Sequence, residues 1–308
     1  MNKTILNILI VVLSLLLWIP PQTAAWGAPR VAVLYPEVRE PYLSVFNNII
    51  RGIESRSGSQ VIPYALPENF DPGKVQKWLS SRRPDSVITL GSRGFQMAKS
   101  LENRMPVIVG AVLLAPNGLS GISMAADPAA LLRNLKTLAP RTKRVFVVYN
   151  PADSGWLVQR AKDAARENQL ELLAFPANDL REAVTAYRDL IEKQLGDTDA
   201  VWLTMDDVGG NDKVVLPMLL EAAWNKRFVL FSSKPSHAKQ GALFSQFPDN
   251  YGLGQSLAEM ARQMNQGTNP ATLIPTKDLQ TAVNLRTAAH LGLNFSSEQQ
   301  DSFQLKFP

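Results

Sequence analysis

The sequence predicts an α/β protein of two Rossmann-like lobes, each with a parallel central sheet, joined by a three-segment hinge. Short apolar, branched runs alternate with stretches of helical periodicity over Arg30–Ser123, and the alternation restarts over Lys143–Gln246. The strand runs are apolar throughout, the pattern of parallel strands covered on both faces by helices. Polar or glycine-bearing loops follow the strands at their C-terminal ends. The expected division is residues 30–124 plus 248–272 for an N-terminal lobe and 125–247 plus 273–308 for a C-terminal lobe. Crossings fall near Ser123–Asp127, Gln246–Asp249 and Thr268–Lys277.

In chain order, Val31–Tyr35 reads as a buried strand, and Tyr42–Ser55 as a helix through Val45, Ile49, Ile50 and Ile53. Val61–Ala65 is the next strand. Pro72–Ser81 follows as a helix, with Asp71 at its cap and Pro72 in its first turn. Ser86–Leu90 and Val107–Val112 are strands flanking the helix Arg93–Leu101. Asp127–Leu138 is a helix that leads into the second lobe. There Val145–Tyr149, Leu170–Phe175, Val201–Thr204 and Phe228–Phe231 read as strands. Helices at Trp156–Asn168, Leu180–Leu195 and Lys213–Asn225 separate them, and Leu243–Gln246 reads as a short edge strand. Asn250–Gln266 is a helix that returns to the first lobe. A strand near Ala282–Asn284 and a helix at Arg286–Leu291 complete the chain.

Residues 1–25 have the parts of a cleavable signal peptide: Lys3, the apolar run Ile5–Ile19, Pro20-Pro21 and the small residues Thr23-Ala24-Ala25. The apolar run is shorter than the roughly 20 residues that span a bilayer, so export to the periplasm is expected rather than anchoring. The sequence contains no Cys, which excludes disulfides and a lipidated N-terminal Cys. The net charge of +5 is spread over short pairs near helix ends, where it complements helix dipoles. Nucleic-acid binding would want a longer basic stripe and is not expected.

Several chemistries lack their motifs. No phosphate-binding P-loop, no Gly-x-Gly-x-x-Gly after the first strand and no Gly-x-Ser-x-Gly elbow occurs. His237 and His290 are far apart, and no Cys is present to complete a zinc site, so neither metal nor cofactor is expected. The one acid–base pairing open to an enzyme reading joins His237 to Asp206 or Asp207.

Open α/β sheets bind ligands beyond the C-terminal ends of their strands, where helix N-termini also point. This places Tyr35, Ser92, Arg93, Asn150, Ser154, Trp156, Asp206 and Ser233 as candidate ligand-binding residues. Ser92 and Ser154 also suit helix caps, and Tyr35 and Trp156 could stack on a ligand ring or staple a helix to its sheet. Asp206 is expected as an unpaired carboxylate that holds an ammonium group.

An ordered series of residues resembles one family. Val147-Val148-Tyr149-Asn150-Pro151, Asp206 after a strand, Gly241-Ala242, Tyr251, Leu253-Gly254, Ile274-Pro275, Asn284 and Ala288-Ala289-His290-Leu291-Gly292 are similar to the periplasmic substrate-binding proteins of ABC transport systems. That family includes tryptophan- and tyrosine-binding proteins. The resemblance implies the type I periplasmic-binding fold and no catalysis. It also implies ligand contacts at Ser92, Asn150, Ser154 and Asp206. The implied function is a monomer that closes on a small polar ligand, an amino acid or related molecule, and delivers it to an inner-membrane ABC permease. The alternative is a sensor that presents its bound state to a membrane receptor kinase. Asp153-Ser154 stands where the family usually has Asn-Ser, Asp206-Asp207 where it has Asp-Asn, and Lys234-Pro235 where an acidic pair is common. With Arg93 and Lys234 facing inward, a more negatively charged ligand is expected.

Overall fold

The computed structural model describes residues 29–58, 60–102, 104–268 and 272–308, so the expected signal peptide lies outside the described residues. The chain opens with β1 (Arg30–Pro36), α1 (Tyr42–Ser57), β2 (Gln60–Leu66), α2 (Pro72–Arg82), β3 (Ser86–Leu90), α3 (Gly91–Leu101), β4 (Val107–Gly110) and β5 (Ser120–Ala126). It then crosses to α4 (Pro128–Leu138), β6 (Arg144–Tyr149), α5 (Pro151–Glu167), β7 (Glu171–Pro176), α6 (Leu180–Lys193), β8 (Asp199–Leu203), α7 (Val215–Lys226), β9 (Val229–Ser232), α8 (Pro235–Gln240) and β10 (Phe244–Pro248). It returns through α9 (Asn250–Asn265) and β11 (Leu273–Thr276). Then it crosses a third time into β12 (Leu279–Asn284), α10 (Leu285–His290), α11 (Ser297–Asp301) and β13 (Leu305–Phe307). Among the described residues no helix is long and apolar enough to cross a membrane.

Two sheets result. The first is six-stranded, ordered β11-β5-β4-β3-β1-β2, and wholly parallel. The second is seven-stranded, ordered β13-β12-β10-β9-β8-β6-β7, and parallel except where β10 meets β12. Alternation along each strand feeds a separate core on each face. Val31 and Val33 pack with Ile49, Ile53 and Leu253, whereas Ala32 and Leu34 pack with Val75, Leu79 and Met97. In the second lobe Val145 and Val147 face Leu131, Leu135 and Val158, and Phe146 and Val148 face Tyr187, Leu216 and Leu219.

Three elements differ from the sequence reading. Ser120–Ala126 is a strand and not a loop leading to the hinge. It carries few β-branched residues because it lies pressed between neighbours: a Cβ on Gly121 would fall 2.2 Å from the Val109 carbonyl oxygen. Leu273–Thr276, expected in the C-terminal lobe, instead pairs with β5 at the edge of the first sheet. Leu243–Gln246 is interior and not an edge, because β12 turns back antiparallel and covers it.

The crossings are held together by main-chain hydrogen bonds. Asp127 and Asp249 cap α4 and α9 through their side chains, accepting from Ala129 N–H and Tyr251 N–H. Their own N–H groups donate into the third crossing, Asp127 to the Thr276 carbonyl and Asp249 to the Asp278 carbonyl, both at 2.9 Å. Ser256 on α9 donates to the Asp278 carboxylate at 2.6 Å. The returning helix α9 lies directly against α1, backbone to backbone. A Cβ on Gly254 would sit 2.1 Å from the Ile49 carbonyl oxygen, and one on Gly52 2.1 Å from that of Tyr251.

Gly254→Ala should therefore push two helix backbones apart and lower stability by about 1–3 kcal/mol, the range for overpacking a closed contact. Urea unfolding is the check. An unchanged midpoint would show that the helices separate without cost.

Candidate functional site

The site grows from two loops of the second sheet. After β6, Asn150 caps α5 by accepting Ala152 N–H at 2.9 Å, and Pro151 takes the first helical position, where a missing N–H costs nothing. Ser154 lies one turn further in and is buried, its N–H donating to the Asn150 carbonyl. After β8, the chain turns sharply at Thr204–Gly210. Gly209 and Gly210 are required there, because a Cβ would fall 2.0 Å from the Val148 carbonyl oxygen and 1.9 Å from that of Thr204 respectively.

Asp206 joins the two loops. It is only 6% exposed and accepts four hydrogen bonds. Its Oδ2 accepts from the Ser154 hydroxyl at 2.6 Å and Asn150 N–H at 3.3 Å. Its Oδ1 accepts from Gly209 N–H at 2.6 Å and Val208 N–H at 3.1 Å. The buried Tyr187 hydroxyl donates to the Gly209 carbonyl at 2.9 Å, and burial together with the nearby Asp206 carboxylate pushes its pKa up. Asp206 is thus not the unpaired carboxylate the sequence suggested. A carboxylate buried beyond a strand end needs donors, and its neighbours supply all of them.

The first lobe contributes the loop after β4. Ser123, fully buried in β5, donates its hydroxyl to the Leu114 carbonyl at 2.8 Å and accepts Leu114 N–H at 3.1 Å. Met124 N–H donates to the Val112 carbonyl. These bonds fix Leu113, Leu114 and Ala115 opposite the two C-terminal-lobe loops.

Between the lobes lies a cleft of about 350 Å³. Leu113, Leu114 and Ala115 wall it from the first lobe, and Ala125 lies at the crossing. The second lobe supplies Asp153, Ser154, Trp156 and Leu157 from α5, and Met205, Asp206 and Asp207 from the loop after β8.

Three sequence-predicted residues meet in this cleft: Ser154, Trp156 and Asp206. Ser154 is not the helix cap, because Asn150 and Pro151 start α5 earlier than expected. Trp156 is half-buried and also packs on the core between α4 and α5. The other candidates do not line the cleft. Asn150 spends its side chain on the cap. Tyr35 packs on Phe46, ring centroids 6.4 Å apart. Arg93 donates to the Glu37 carbonyl at 2.8 Å and the Leu66 carbonyl at 3.0 Å, clasping the ends of β1 and β2. Ser92 is exposed in the first turn of α3, whose cap position is Leu90 because the helix starts directly at Gly91. Ser233 is buried just ahead of α8.

Lys234 does not face the cleft either. Its Nζ lies 2.9 Å from Asp212 Oδ1, and the same oxygen accepts from His237 Nε2 at 2.8 Å. His237 therefore pairs with Asp212 and not with Asp206 or Asp207. The His237 ring is fully buried, and its Nδ1 has no hydrogen-bond partner among the described residues. Protonation would put an unsatisfied N–H there. Burial accordingly pulls its pKa below 6.5, against the upward pull of Asp212. Desolvation raises the Asp212 carboxyl, but hydrogen bonds from Lys234 and His237 outweigh it and hold the pKa below its usual value.

The sequence pointed to the loops that carry Asp153, Met205 and Asp207 and to the loop from Leu113, but named no ligand-contacting residue in the last and gave no sign of a role for Ser123. An apolar loop has no chemical signature, and the role of Ser123 depends on a contact across the sheet end.

Residues 73–300 match the model of a family described as ABC transporter substrate binding protein. The chain belongs to this family. Solved structures support the fold at low identity. A ligand-free, open substrate-binding protein with adhesive properties from Clostridium difficile is 18% identical with a TM-score of 0.59, covering 91% of this chain and 99% of that one. An ABC domain from Streptococcus pneumoniae in complex with L-Trp is 19% identical with a TM-score of 0.51, covering 91% of this chain and 100% of that one. A conserved domain protein from Vibrio cholerae is 17% identical with a TM-score of 0.50 over the same shares. No curated protein matches the chain in sequence. The fold is that of type I periplasmic-binding proteins.

Asp206→Ala should destabilise the protein by at least the about 1–3 kcal/mol of one stranded buried donor. Ser154→Ala, which leaves Asp206 three donors, should cost less. Denaturant midpoints for both variants check this, and equal small losses would show that the carboxylate is not the junction. Acid should also weaken the fold. With the folded-state pKa of His237 below 6.5, the unfolded chain takes the proton first. Stability is therefore full above that pH and falls as pH drops below it, and Asp212 adds its own loss at still lower pH. His237→Gln should flatten the onset of the decline below about pH 6.5 in melting curves, and an unchanged slope would assign it elsewhere.

Proposed function

We propose that the protein is exported, binds a small polar solute in the inter-lobe cleft, and hands it to an inner-membrane ABC permease as a monomer. The observation that carries this is the cleft itself. It lies where the C-terminal ends of both sheets face each other, it takes its walls from both lobes, and the lobes are connected by three short main-chain segments. A ligand touching both walls binds the closed form better than the open one, and that difference is what shifts the population toward closure. Its volume fits an amino acid or related molecule, and the pneumococcal neighbour that holds L-Trp supports that size.

A binding role is also supported over a catalytic one. The Ser154 hydroxyl is held by the Asp206 carboxylate, whose other acceptor positions take backbone N–H groups. His237, paired with Asp212, does not line the cleft.

Native mass spectrometry of protein purified from its own periplasm should find a retained small molecule. Leu113 is 47% exposed and can be changed without disturbing the core. Leu113→Arg should abolish retention by filling the cleft while leaving the melting temperature of the empty protein unchanged. A retained molecule unaffected by this substitution, or no compaction in small-angle scattering when it is added back, would sink the reading.

A further inference from the structure

We infer that the ligand of this cleft is a cation with an apolar body, an amine that lacks a carboxylate. This rests on the cleft being the binding site, and the charge of its lining then selects the ligand class. Among the described residues that line it, three, Asp153, Asp206 and Asp207, are acidic, and none is Lys, Arg or His. The two basic residues that sequence placed near the cleft are both spent, Arg93 on backbone carbonyls and Lys234 on Asp212.

The three carboxylates are not equivalent. Asp206 is enclosed and satisfied by four protein donors. The Asp153 and Asp207 side chains are exposed, and among the described residues neither forms an ion pair. They leave acceptor oxygens free at the polar wall. An ammonium group there gains two uncompensated negative charges and pays for no displaced cation.

A ligand carboxylate is poorly matched to this wall. The N-terminus of α5 is the natural anion seat of such a cleft. Here Asn150 N–H already bonds Asp206, Pro151 has no N–H, Ala152 N–H bonds the Asn150 side chain, and Ser154 N–H bonds the Asn150 carbonyl, which leaves only the N–H of Asp153, a residue whose own side chain is a carboxylate. Asp153 adds a negative charge in the same first turn, which complements the dipole and repels an incoming anion. Leu113 and Leu114 across the cleft, and the Trp156 ring beside the carboxylates, offer apolar surface to the rest of the molecule.

The experiment compares matched probes on the intact mature protein by calorimetry at pH 7 and low salt. One series is tryptamine, L-tryptophan and indole-3-propionate, and the other is hexylamine, 6-aminohexanoate and hexanoate. At least one amine should bind roughly tenfold or more tightly than its zwitterion, with no binding of the anion. Asp207→Asn and Asp153→Asn should each weaken that amine by several-fold to about tenfold, and added salt should weaken it further. Equal or tighter binding of a zwitterion or anion overturns the inference. So does the failure of both amines to bind. Leu113→Arg separates the two levels of the argument. If it abolishes binding of a zwitterion, the cleft stands and the charge assignment falls. If it leaves amine binding untouched, the ligand sits elsewhere and both fall.

Discussion

The architecture depends on how three chain crossings are bound side by side. A protein whose sheets share no strands can place a cleft between them only if the connecting segments fix the approach of the two edges. Here the third crossing does this work. The Thr276 and Asp278 carbonyls accept the N–H groups of Asp127 and Asp249, the residues that cap the first helix after each of the other crossings. Each cap aspartate thus starts a helix in one lobe and ties its crossing to the third. Translation of one lobe past the other would break these main-chain bonds. Hinge motion is the freedom such a junction retains.

A second junction sets the polar wall. Burying a carboxylate is costly unless its lone pairs are met, and Asp206 meets that condition with donors from two separate loops. The loop after β8 is therefore shaped by the carboxylate, and the two glycines behind it give the backbone room to bring its N–H groups round. Tyr187 closes the back of the turn from α6. The Asp212–Lys234–His237 group anchors the far end of the same segment to α8. The wall is thus held at both ends before any ligand arrives, which spares a binding event the entropy of ordering it.

Much of the architecture was readable from residue patterns. The apolar runs at Val31–Tyr35, Val145–Tyr149 and Phe228–Phe231 are buried strands, and the restart after Lys143 marks a second sheet. What escaped the reading has local causes. β5 holds Ser, Gly and Ala where a strand usually carries Val and Ile, with Gly121 pressed against the Val109 backbone, and β11 is only four residues long and contains Pro275. The site was readable by loop and not by residue. Position beyond a strand end pointed to Asp206 and Ser154, but that they bond each other is a contact between residues 52 positions apart. Arg93 and Lys234 show the converse: a charge near a cleft says nothing of its direction until its partners are known.

The two walls differ in kind, and the difference follows from how each is supported. The second lobe offers carboxylates on a frame of hydrogen bonds, whereas the first offers Leu113, Leu114 and Ala115 on a loop held mainly by one hydroxyl, that of Ser123. Polar groups in an open cleft compete with water, so their attraction acts at long range and selects by charge. Apolar groups contribute only when water is expelled, which requires the walls to meet. Ser123 belongs to β5, the strand that enters the first crossing, so the apolar loop is tied directly to that crossing. In the binding role proposed above, capture falls to the carboxylate-bearing wall and the stabilisation of the closed form to the apolar one. A ligand with charge but no apolar body would be attracted without holding the lobes together, and one with an apolar body alone would not be drawn in.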